Sequence, residues 1–146
     1  MGLFTAMEKA YLAEQHLGRL ATSGKTGMPH VIPVGFHLDT DTETIKIGGH
    51  SYRGMDRLYI RHLQGNPQAA FLVDDLVTEP TWAPRGVSIK GPVTIHEAGG
   101  EGLGPGFGPR WIEITPHWVN SWGIDADPFA EPAGPRKVEA SGTASS

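Results

Sequence analysis

Apolar and polar residues alternate with a period of two along most of this chain, and that period predicts strands that bury one face. Residues 5–18 follow a helical period instead. Thr5 and Glu8 form a capping-box pattern at its start, and Gly18 follows its last apolar position. The apolar stripe of this segment consists of Met7, Ala10, Ala13 and Leu17. The sequence therefore predicts a short opening helix followed by a mainly β domain.

Six later segments carry the strand pattern, and the first three form a meander with polar turns between them. The six segments are residues 20–22, 30–38, 44–50, 69–76, 86–97 and 110–124. A second helix is predicted between the third and fourth strands, because apolar residues recur there at helical spacing before Gly65 and Pro67. Its apolar face consists of Met55, Leu58, Tyr59, His62 and Leu63. Six strands and two short helices predict a closed or split antiparallel barrel.

The composition fits one compact domain. The chain has 146 residues, of which 38% are apolar and 19% charged, and this is enough for one complete core. Residues 99–109 are so rich in glycine that they predict a flexible loop. Residues 126–146 are rich in Pro, Ala, Gly and Ser and predict a tail with a disordered end. We therefore expect the domain to occupy residues 1–125.

Charge and residue content exclude several classes of protein. The net charge of -4 disfavours a protein whose main partner is nucleic acid. The absence of cysteine excludes disulfides, thiolate nucleophiles and cysteine-based metal sites. The charged N-terminal segment does not fit a signal peptide, and no apolar run is long enough to span a bilayer. We expect a soluble, cytoplasmic protein that binds neither nucleic acid nor membranes.

Several patterns that suggest catalysis fail on their spacing. Residues 24–26, Gly-Lys-Thr, lack the first glycine of a phosphate loop and lead into a strand, so they predict a hairpin turn. The seven histidines include no metal-binding spacing, and His30 and His37 have opposite parity on one predicted strand. Asp74 and Asp75 are adjacent in a strand and so point to opposite faces rather than form a catalytic pair. These residues predict no metal site and no nucleophile.

Two features of the chain suit a planar ligand. Pro33 and Gly35 interrupt an apolar strand, and because proline removes a ladder donor and glycine permits close approach, that strand is expected to border a ligand groove. Trp111, Trp118 and Trp122 lie in the last strand, where tryptophans are typical of a core or a subunit interface. An alternative interpretation is that Trp122 stacks beside the planar ring of a ligand.

The second helix carries a cationic stripe formed by Arg53, Arg57 and Arg61. Spacing alone leaves two interpretations open: a solvated face partly neutralised by Asp56, or a site for an anionic group. The helix follows the third strand and so lies near the proposed groove. This position favours an anionic ligand end, such as a phosphate, beside the arginines.

Five segments together resemble the pyridoxamine 5'-phosphate oxidase-like family of flavin and deazaflavin enzymes. They are residues 17–39, 47–50, 65–76, 84–93 and 112–125. The resemblance extends from Ala6 to Asp125. It is greatest to the actinobacterial branch that uses the deazaflavin coenzyme F420, and within it to the group that includes the dehydrotetracycline reductase of oxytetracycline biosynthesis.

The resemblance implies an FMN-binding-like split β-barrel that forms a homodimer with two cofactor grooves at the subunit interface. Carried over by position, the ring-lining residues are Pro33, Val34, Gly35 and Phe36, and the phosphate region begins with Gly49, His50 and Ser51. It also implies an oxidoreductase in which reduced F420 delivers hydride to a conjugated small molecule, for example a polyketide intermediate such as dehydrotetracycline. Two alternatives stay open: an FMN-dependent oxidase or reductase of the same fold, and a non-catalytic protein that binds a ligand or cofactor.

One departure from the family pattern concerns the phosphate end. Relatives commonly carry a lysine in the second helix, at a fixed distance before its proline. Pro67 and Leu63 fit that pattern, but Tyr59 occupies the lysine position and His62 the asparagine position. Three outcomes remain open: an arginine of this helix replaces the lysine, the cofactor binds weakly, or it does not bind. His50 and Tyr59 are candidate proton relays to the reduced substrate.

Overall fold

The computed structural model describes residues 2–50, 57–124 and 135–138, with the backbone alone at His50. Two α-helices, α1 (Ala6–Glu14) and α2 (Leu58–Gly65), are accompanied by a 3-10 turn at Gly100–Leu103. The nine strands are β1 (Leu17–Ser23), β2 (Pro29–Gly35), β3 (His37–Asp39), β4 (Thr44–His50), β5 (Gln68–Val77), β6 (Ala83–His96), β7 (Phe107–Ile114), β8 (Trp118–Trp122) and β9 (Arg136–Lys137).

The strands form one antiparallel sheet that curves into a split barrel. The order along the main path is β2-β1-β5-β6-β7-β4-β3, and β8 pairs with β6 and β9. The strand β6 joins the two halves, since β5 lies along one of its edges while β8 and then β7 lie along the other. The predicted mainly β split barrel is therefore confirmed.

Two of the six predicted strands are each divided into two. The second predicted strand breaks at Phe36, so that β2 pairs with β1 and β3 pairs with β4. The last predicted strand breaks before β8, where Pro116 has no N–H to donate and residues 115–117 interrupt the pairing along one edge of β6. At that break the Thr115 carbonyl oxygen occupies the place that a Cβ of Gly91 would take. The break therefore requires glycine at this position.

The turns agree with the sequence at one place and differ from it at another. The hairpin turn predicted at residues 24–26 is confirmed, because the Gly27 N–H donates to the Gly24 carbonyl oxygen at 3.1 Å. The glycine-rich loop is more regular than predicted, since it contains the 3-10 turn and β7 begins within it. Gly100 packs directly against the Gly108 carbonyl oxygen, and this close packing fixes the loop on β7.

The capping box predicted for α1 is confirmed. The Thr5 hydroxyl accepts a hydrogen bond from the Glu8 N–H at 3.1 Å, and the Thr5 N–H donates to the Glu8 carboxylate at 2.9 Å. The predicted end of the helix is wrong, because α1 ends at Glu14 and Gly18 lies in β1.

The face that α1 turns toward the barrel differs from the predicted stripe. The buried residues of α1 are Glu8, Tyr11 and Leu12. The predicted stripe, Met7, Ala10, Ala13 and Leu17, is exposed. Tyr11 and Leu12 bury far more apolar area than two alanines would, so they decide which face of the helix packs inward.

The second helix lies close to its predicted position. Its buried residues are Tyr59, Ile60 and Leu63. From the predicted apolar face, Leu58 is exposed because the helix begins there, and Met55 lies outside the described residues. His62 is half-buried, and its Nδ1 lies 3.0 Å from the Thr22 hydroxyl oxygen.

The core consists of the inward-facing residues of the strands. The largest of these that are fully buried are Leu20, Ile45, Ile47, Phe71, Val73, Val87, Ile89, Ile112 and Ile114. They alternate with outward residues, which confirms the two-residue period. Within the described part of the chain, no helix has the length and apolar character needed to cross a membrane.

The carboxylate of Glu8 joins both ends of the described chain, and its side chain is 1% exposed. Arg136 donates to both carboxylate oxygens and, at 3.0 Å, to the Leu3 carbonyl oxygen, while the Ser121 hydroxyl donates to Glu8 at 2.7 Å. Burial raises the pKa of Glu8, but the hydrogen bonds from Arg136, Ser121 and the helix cap outweigh burial and lower it. Residues 135–138 of the predicted tail therefore pack on the barrel.

We expect Arg136→Met to lower the free energy of unfolding by about 3 kcal/mol near neutral pH, because it leaves a buried carboxylate without its cation. A lowered pKa stabilises the fold above the unfolded value of about 4.3, and that stabilisation is lost as the pH falls through the folded value. The difference between the two proteins should therefore shrink below about pH 4.

Urea unfolding of both proteins from acid to neutral pH measures this difference. The matched control is Lys137→Met, on the exposed side of β9, which should change the free energy by less than about 0.5 kcal/mol. Equal losses in both variants would contradict the role given to the buried ion pair.

Candidate functional site

The strand β2 lies at one end of the main path, and its side chains alternate between the outer face of the sheet and the core. Pro33 and Gly35 are exposed on the outer face. Val34 and Phe36 pack against the core, and the ring of Phe36 meets that of Phe71 edge-on at 5.2 Å between centroids. The structure thus divides the four predicted ring residues between two faces, and Pro33 and Gly35 are the pair open to a ligand.

The backbone at Gly35 is unobstructed on its outer side. The nearest atom to the place a Cβ would occupy is the His16 carbonyl oxygen, 3.9 Å away. A flat group can therefore lie directly on this backbone. The strand β2 also contacts β4, the strand that carries Gly49.

Gly49, Tyr59 and Arg110 meet where the end of β4 lies between α2 and β7. A Cβ at Gly49 would lie 3.6 Å from both the Tyr59 hydroxyl oxygen and the Arg110 carbonyl oxygen. Tyr59 is buried, and burial raises the pKa of its phenol, although the charges of Arg57 and Arg110 partly offset that effect. The phenol therefore keeps its proton at neutral pH and is a hydrogen-bond donor within range of two guanidinium groups.

Arg110 is a candidate that the sequence did not indicate. It lies in β7, and its nearness to Tyr59 results from the pairing of β4 with β7, in which Gly48 faces Trp111. The Arg110 Nε donates to the Glu97 carboxylate at 2.7 Å. No local sequence pattern indicates that Arg110 belongs to the site, because its position depends on the register of β4 with β7.

The predicted arginine stripe is described in part. Arg53 and Ser51 lie outside the described residues, as does the side chain of His50. Arg57 is the N-cap of α2, and its carbonyl oxygen accepts the first hydrogen bonds of the helix. Arg57 and Arg61 are both exposed. The N-terminal end of α2 is therefore a cationic edge beside Gly49 and β7.

The ring of Trp122 lies over Gly86, its partner in the pairing of β6 with β8. A Cβ at Gly86 would overlap the Trp122 ring. Trp122 and Pro33 share the outer face of the sheet, but β8 is four strands away from β2, which is about 19 Å along the sheet. One chain therefore does not bring Trp122 and Pro33 to the same small ring.

The other titratable residues singled out by the sequence serve the fold. Asp75 accepts two hydrogen bonds from Arg85, while Asp74 faces the outer side, so the opposite orientation predicted for them is confirmed. His30 and His37 lie in two different strands, so the prediction that they share one strand is wrong. Among residues 2–50, 57–124 and 135–138, no three His, Asp or Glu side chains cluster as a metal site would require.

The antiparallel split barrel, with its open β2 backbone and its cationic edge at α2, defines the structural class. Residues 4–123 match the family model described as pyridoxamine 5'-phosphate oxidase, and the chain belongs to this family. The chain is 37% identical over 124 residues to the 5a,11a-dehydrotetracycline/5a,11a-dehydrooxytetracycline reductase of Streptomyces rimosus, over 85% of this chain and 86% of that protein.

Solved structures share the fold at low sequence identity. A conserved hypothetical protein from Mycobacterium tuberculosis superposes with a TM-score of 0.62 and 21% identity, over 82% of this chain and 84% of that one. A pyridoxamine 5'-phosphate oxidase-related, FMN-binding protein from Nostoc punctiforme gives a TM-score of 0.55 and 12% identity, over 81% of this chain and 84% of that one. These likenesses support the barrel assignment.

The contact between Gly86 and Trp122 is testable. We expect Gly86→Ala to displace the Trp122 ring, to shift the tryptophan fluorescence maximum and to cost about 1–3 kcal/mol of stability through overpacking. Gly102→Ala is the matched control, since nothing lies within 4 Å of the Cβ it would add. Fluorescence spectra and thermal melts of both variants measure the effect, and an unshifted spectrum in Gly86→Ala would overturn the placement.

Proposed function

We propose that this protein is an oxidoreductase in which reduced coenzyme F420 delivers hydride to a conjugated, polycyclic small molecule of the tetracycline kind. The observation that carries the proposal is the 37% identity, along 85% of the chain, to a protein named as a dehydrotetracycline reductase. The likeness covers both candidate regions, β2 and the end of β4, so the two chains share the framework around the site.

The described residues fit a cofactor with a flat ring and an anionic side chain. Pro33 and Gly35 offer an exposed surface on which a planar ring lies against the backbone. Arg57, Arg110 and the Tyr59 hydroxyl supply charge and a hydrogen bond around Gly49, where relatives use a lysine. Tyr59 at the lysine position thus leaves a neutral donor, with the positive charge on the neighbouring arginines.

When bound, the deazaflavin supplies the hydride. The chain's own residues orient the two rings, and the outer side of β2 provides a rigid platform for that orientation. Tyr59 holds its proton at the hydroxyl oxygen, because burial raises its pKa, and it donates a hydrogen bond to the anionic end. His50 and Tyr59 are the candidates for carrying a proton to the reduced product.

A homodimer completes this proposal. Pro33 and Trp122 lie four strands apart in one chain, so a ring between them requires Trp122 to come from a second copy. Large apolar side chains are also exposed on β2 and next to it: Leu17 at 49%, Met28 at 72% and Val31 at 64%. Such a patch on a soluble domain is typical of a subunit interface.

Titration with oxidised and reduced F420, followed by deazaflavin fluorescence, tests the cofactor. We expect saturable binding that Arg57→Ala and Arg110→Leu each weaken about tenfold or more, because each removes a charge-assisted hydrogen bond worth about 1.5–3 kcal/mol. Lys9→Met, which removes the same charge from α1, is the matched control and should bind as the parent protein does.

Three experimental results would count against the proposed F420-dependent function. A yellow protein that keeps its flavin through dialysis indicates the FMN-dependent alternative. Ligand binding without turnover under any reductant indicates the non-catalytic alternative. No F420 binding at high micromolar concentration overturns the primary proposal.

The dimer is tested by Val31→Arg, which places a charge in the exposed apolar patch. We expect the molar mass from light scattering to fall to that of one chain and F420 binding to be lost, while the melting temperature of the barrel changes little. Met7→Arg, at another exposed apolar position on α1, should leave the mass unchanged. An unchanged mass in Val31→Arg would place the interface elsewhere.

A further inference from the structure

Five strands share one outer face, and the registers of their pairing align its side chains in rows. One row runs through successive pairing partners from β2 across β1, β5 and β6 to β8. Its members, in that order, are Val31, Ala21, Ala70, Lys90 and Trp118. Trp118 is 47% exposed, whereas β1 and β5 contribute only alanines. The face is therefore lowered at β1 and β5 and raised at β8.

A cavity of about 610 Å³ opens where this row is low. Short side chains form much of its lining on the outer face: Ala21, Ser23, Pro29 and Ala70. Lys90 and Trp118 line its β6 and β8 side. An exposed indole ring thus lies beside a depression that has room for an indole ring.

Other large apolar side chains on this face are also exposed. Leu17 on β1 is 49% exposed, and Leu76 on β5 is 48% exposed. With Val31 and Trp118 they make up four of the eight large apolar residues that are exposed in the described part of the chain. Such a concentration on one face marks a contact with another protein. In a twofold symmetric contact the same patch must fit itself, and a ring beside a depression meets that requirement.

The symmetry of the proposed homodimer brings the ring to the cavity. That dimer places Trp122 of one subunit across from Pro33 of the partner subunit, and β5 lies two strands from both β2 and β8. Two sheets that pack face to face by a twofold rotation have the axis between them, and here the axis runs along β5. The rotation lays the β8 side of one subunit over the β1 and β2 side of its partner. Trp118 therefore comes to lie over the low part of the row, where the cavity of the partner subunit opens.

The cavity supplies polar partners for a buried indole ring. Lys90 lines it, and among the described residues no carboxylate lies within 4 Å of its ammonium group. An ammonium group over an indole face is a favourable cation–π contact, which strengthens when water is excluded. Gln68 also lines the cavity, and its amide oxygen is an acceptor suited to the indole N–H. An indole ring inserted here is therefore matched in shape, charge and hydrogen bonding.

We propose that Trp118 anchors the homodimer, because the ring of each subunit inserts into the cavity on the partner subunit, against Ala21 and Ala70. The two insertions are equivalent by symmetry, so each subunit both donates a ring and receives one. The anchor deepens the proposed function and rests on it, since the dimer that brings Trp122 to Pro33 of the partner subunit also sets the position of the axis.

Two substitutions disrupt this contact from opposite sides. Trp118→Ala removes the ring, and Ala70→Phe fills the cavity that receives it. We expect each variant to keep the circular dichroism spectrum of the folded barrel, because both side chains lie on the outer face. Each should weaken the dimer about 100-fold or more, because every dimer loses two tryptophan contacts. Light scattering over a dilution series measures the dissociation constant of the dimer.

A mixture of the two variants restores one of the contacts. In the mixed dimer, Trp118 of the Ala70→Phe chain enters the open cavity of the Trp118→Ala chain, and the truncated position of the second chain faces the filled cavity of the first. We expect the mixture to dimerise about tenfold or more tightly than either variant alone. Met7→Ala, at an exposed apolar position on α1, is the control and should dimerise as the parent protein does.

An unchanged dissociation constant in Trp118→Ala or in Ala70→Phe overturns the insertion. A mixture that dimerises no more tightly than its components also overturns it, as does a parent protein that is a monomer. F420 binding separates this result from the cofactor assignment. Variants that complement each other in a protein that binds no F420 leave the anchor standing while the reductase proposal fails. F420 binding by a dimer that Trp118→Ala does not weaken does the reverse.

Discussion

The architecture depends on the ability of β6 to pair with three other strands. Its fourteen residues have β5 along one edge, while β8 and then β7 occupy the other. The change of partner takes place at Gly91 and Pro92, where the Thr115 carbonyl oxygen fills the space of a side chain and the Thr115 N–H donates to Pro92. A side chain at Gly91 would push residues 115–117 away from β6. The placement of β8, and of the tryptophans on it, follows from that one close approach.

A buried ion pair then fixes what β6 and β8 present to the outside. The Glu8 carboxylate accepts hydrogen bonds from Arg136 and Ser121, and Arg136 is the pairing partner of Val119 in β8. Because neighbouring strand residues face opposite sides, fixing Arg136 toward Glu8 turns Lys137 outward beside Trp118. The same contact that holds the end of the chain on α1 therefore also places Lys137 beside Trp118 on the outer face.

The sequence predicted the features that local patterns determine. Alternation identified the strands, the capping box located the start of α1, and Pro33 with Gly35 marked a strand whose outer backbone is open. The breaks at Phe36 and before β8 were missed, because apolar periodicity continues through both while the pairing partner changes.

Long-range contacts explain the remaining differences. The inward face of α1 contains Glu8, and a carboxylate is not expected in a core position. Arg136, far along the chain, forms an ion pair with Glu8, and no local pattern predicts that contact. The nearness of Arg110 to Tyr59 likewise depends on the register of β4 with β7.

The described cations fall into two groups, those with a carboxylate partner and those without one. Six lie within 4 Å of a carboxylate: Lys9, Arg19, Lys46, Arg85, Arg110 and Arg136. Those without one are Lys25, Arg57 and Arg61 at α2 and its adjacent turn, and Lys90 and Lys137 on the outer face of β6 and β9. On a chain of net charge -4, unpaired cations determine where an anion is attracted.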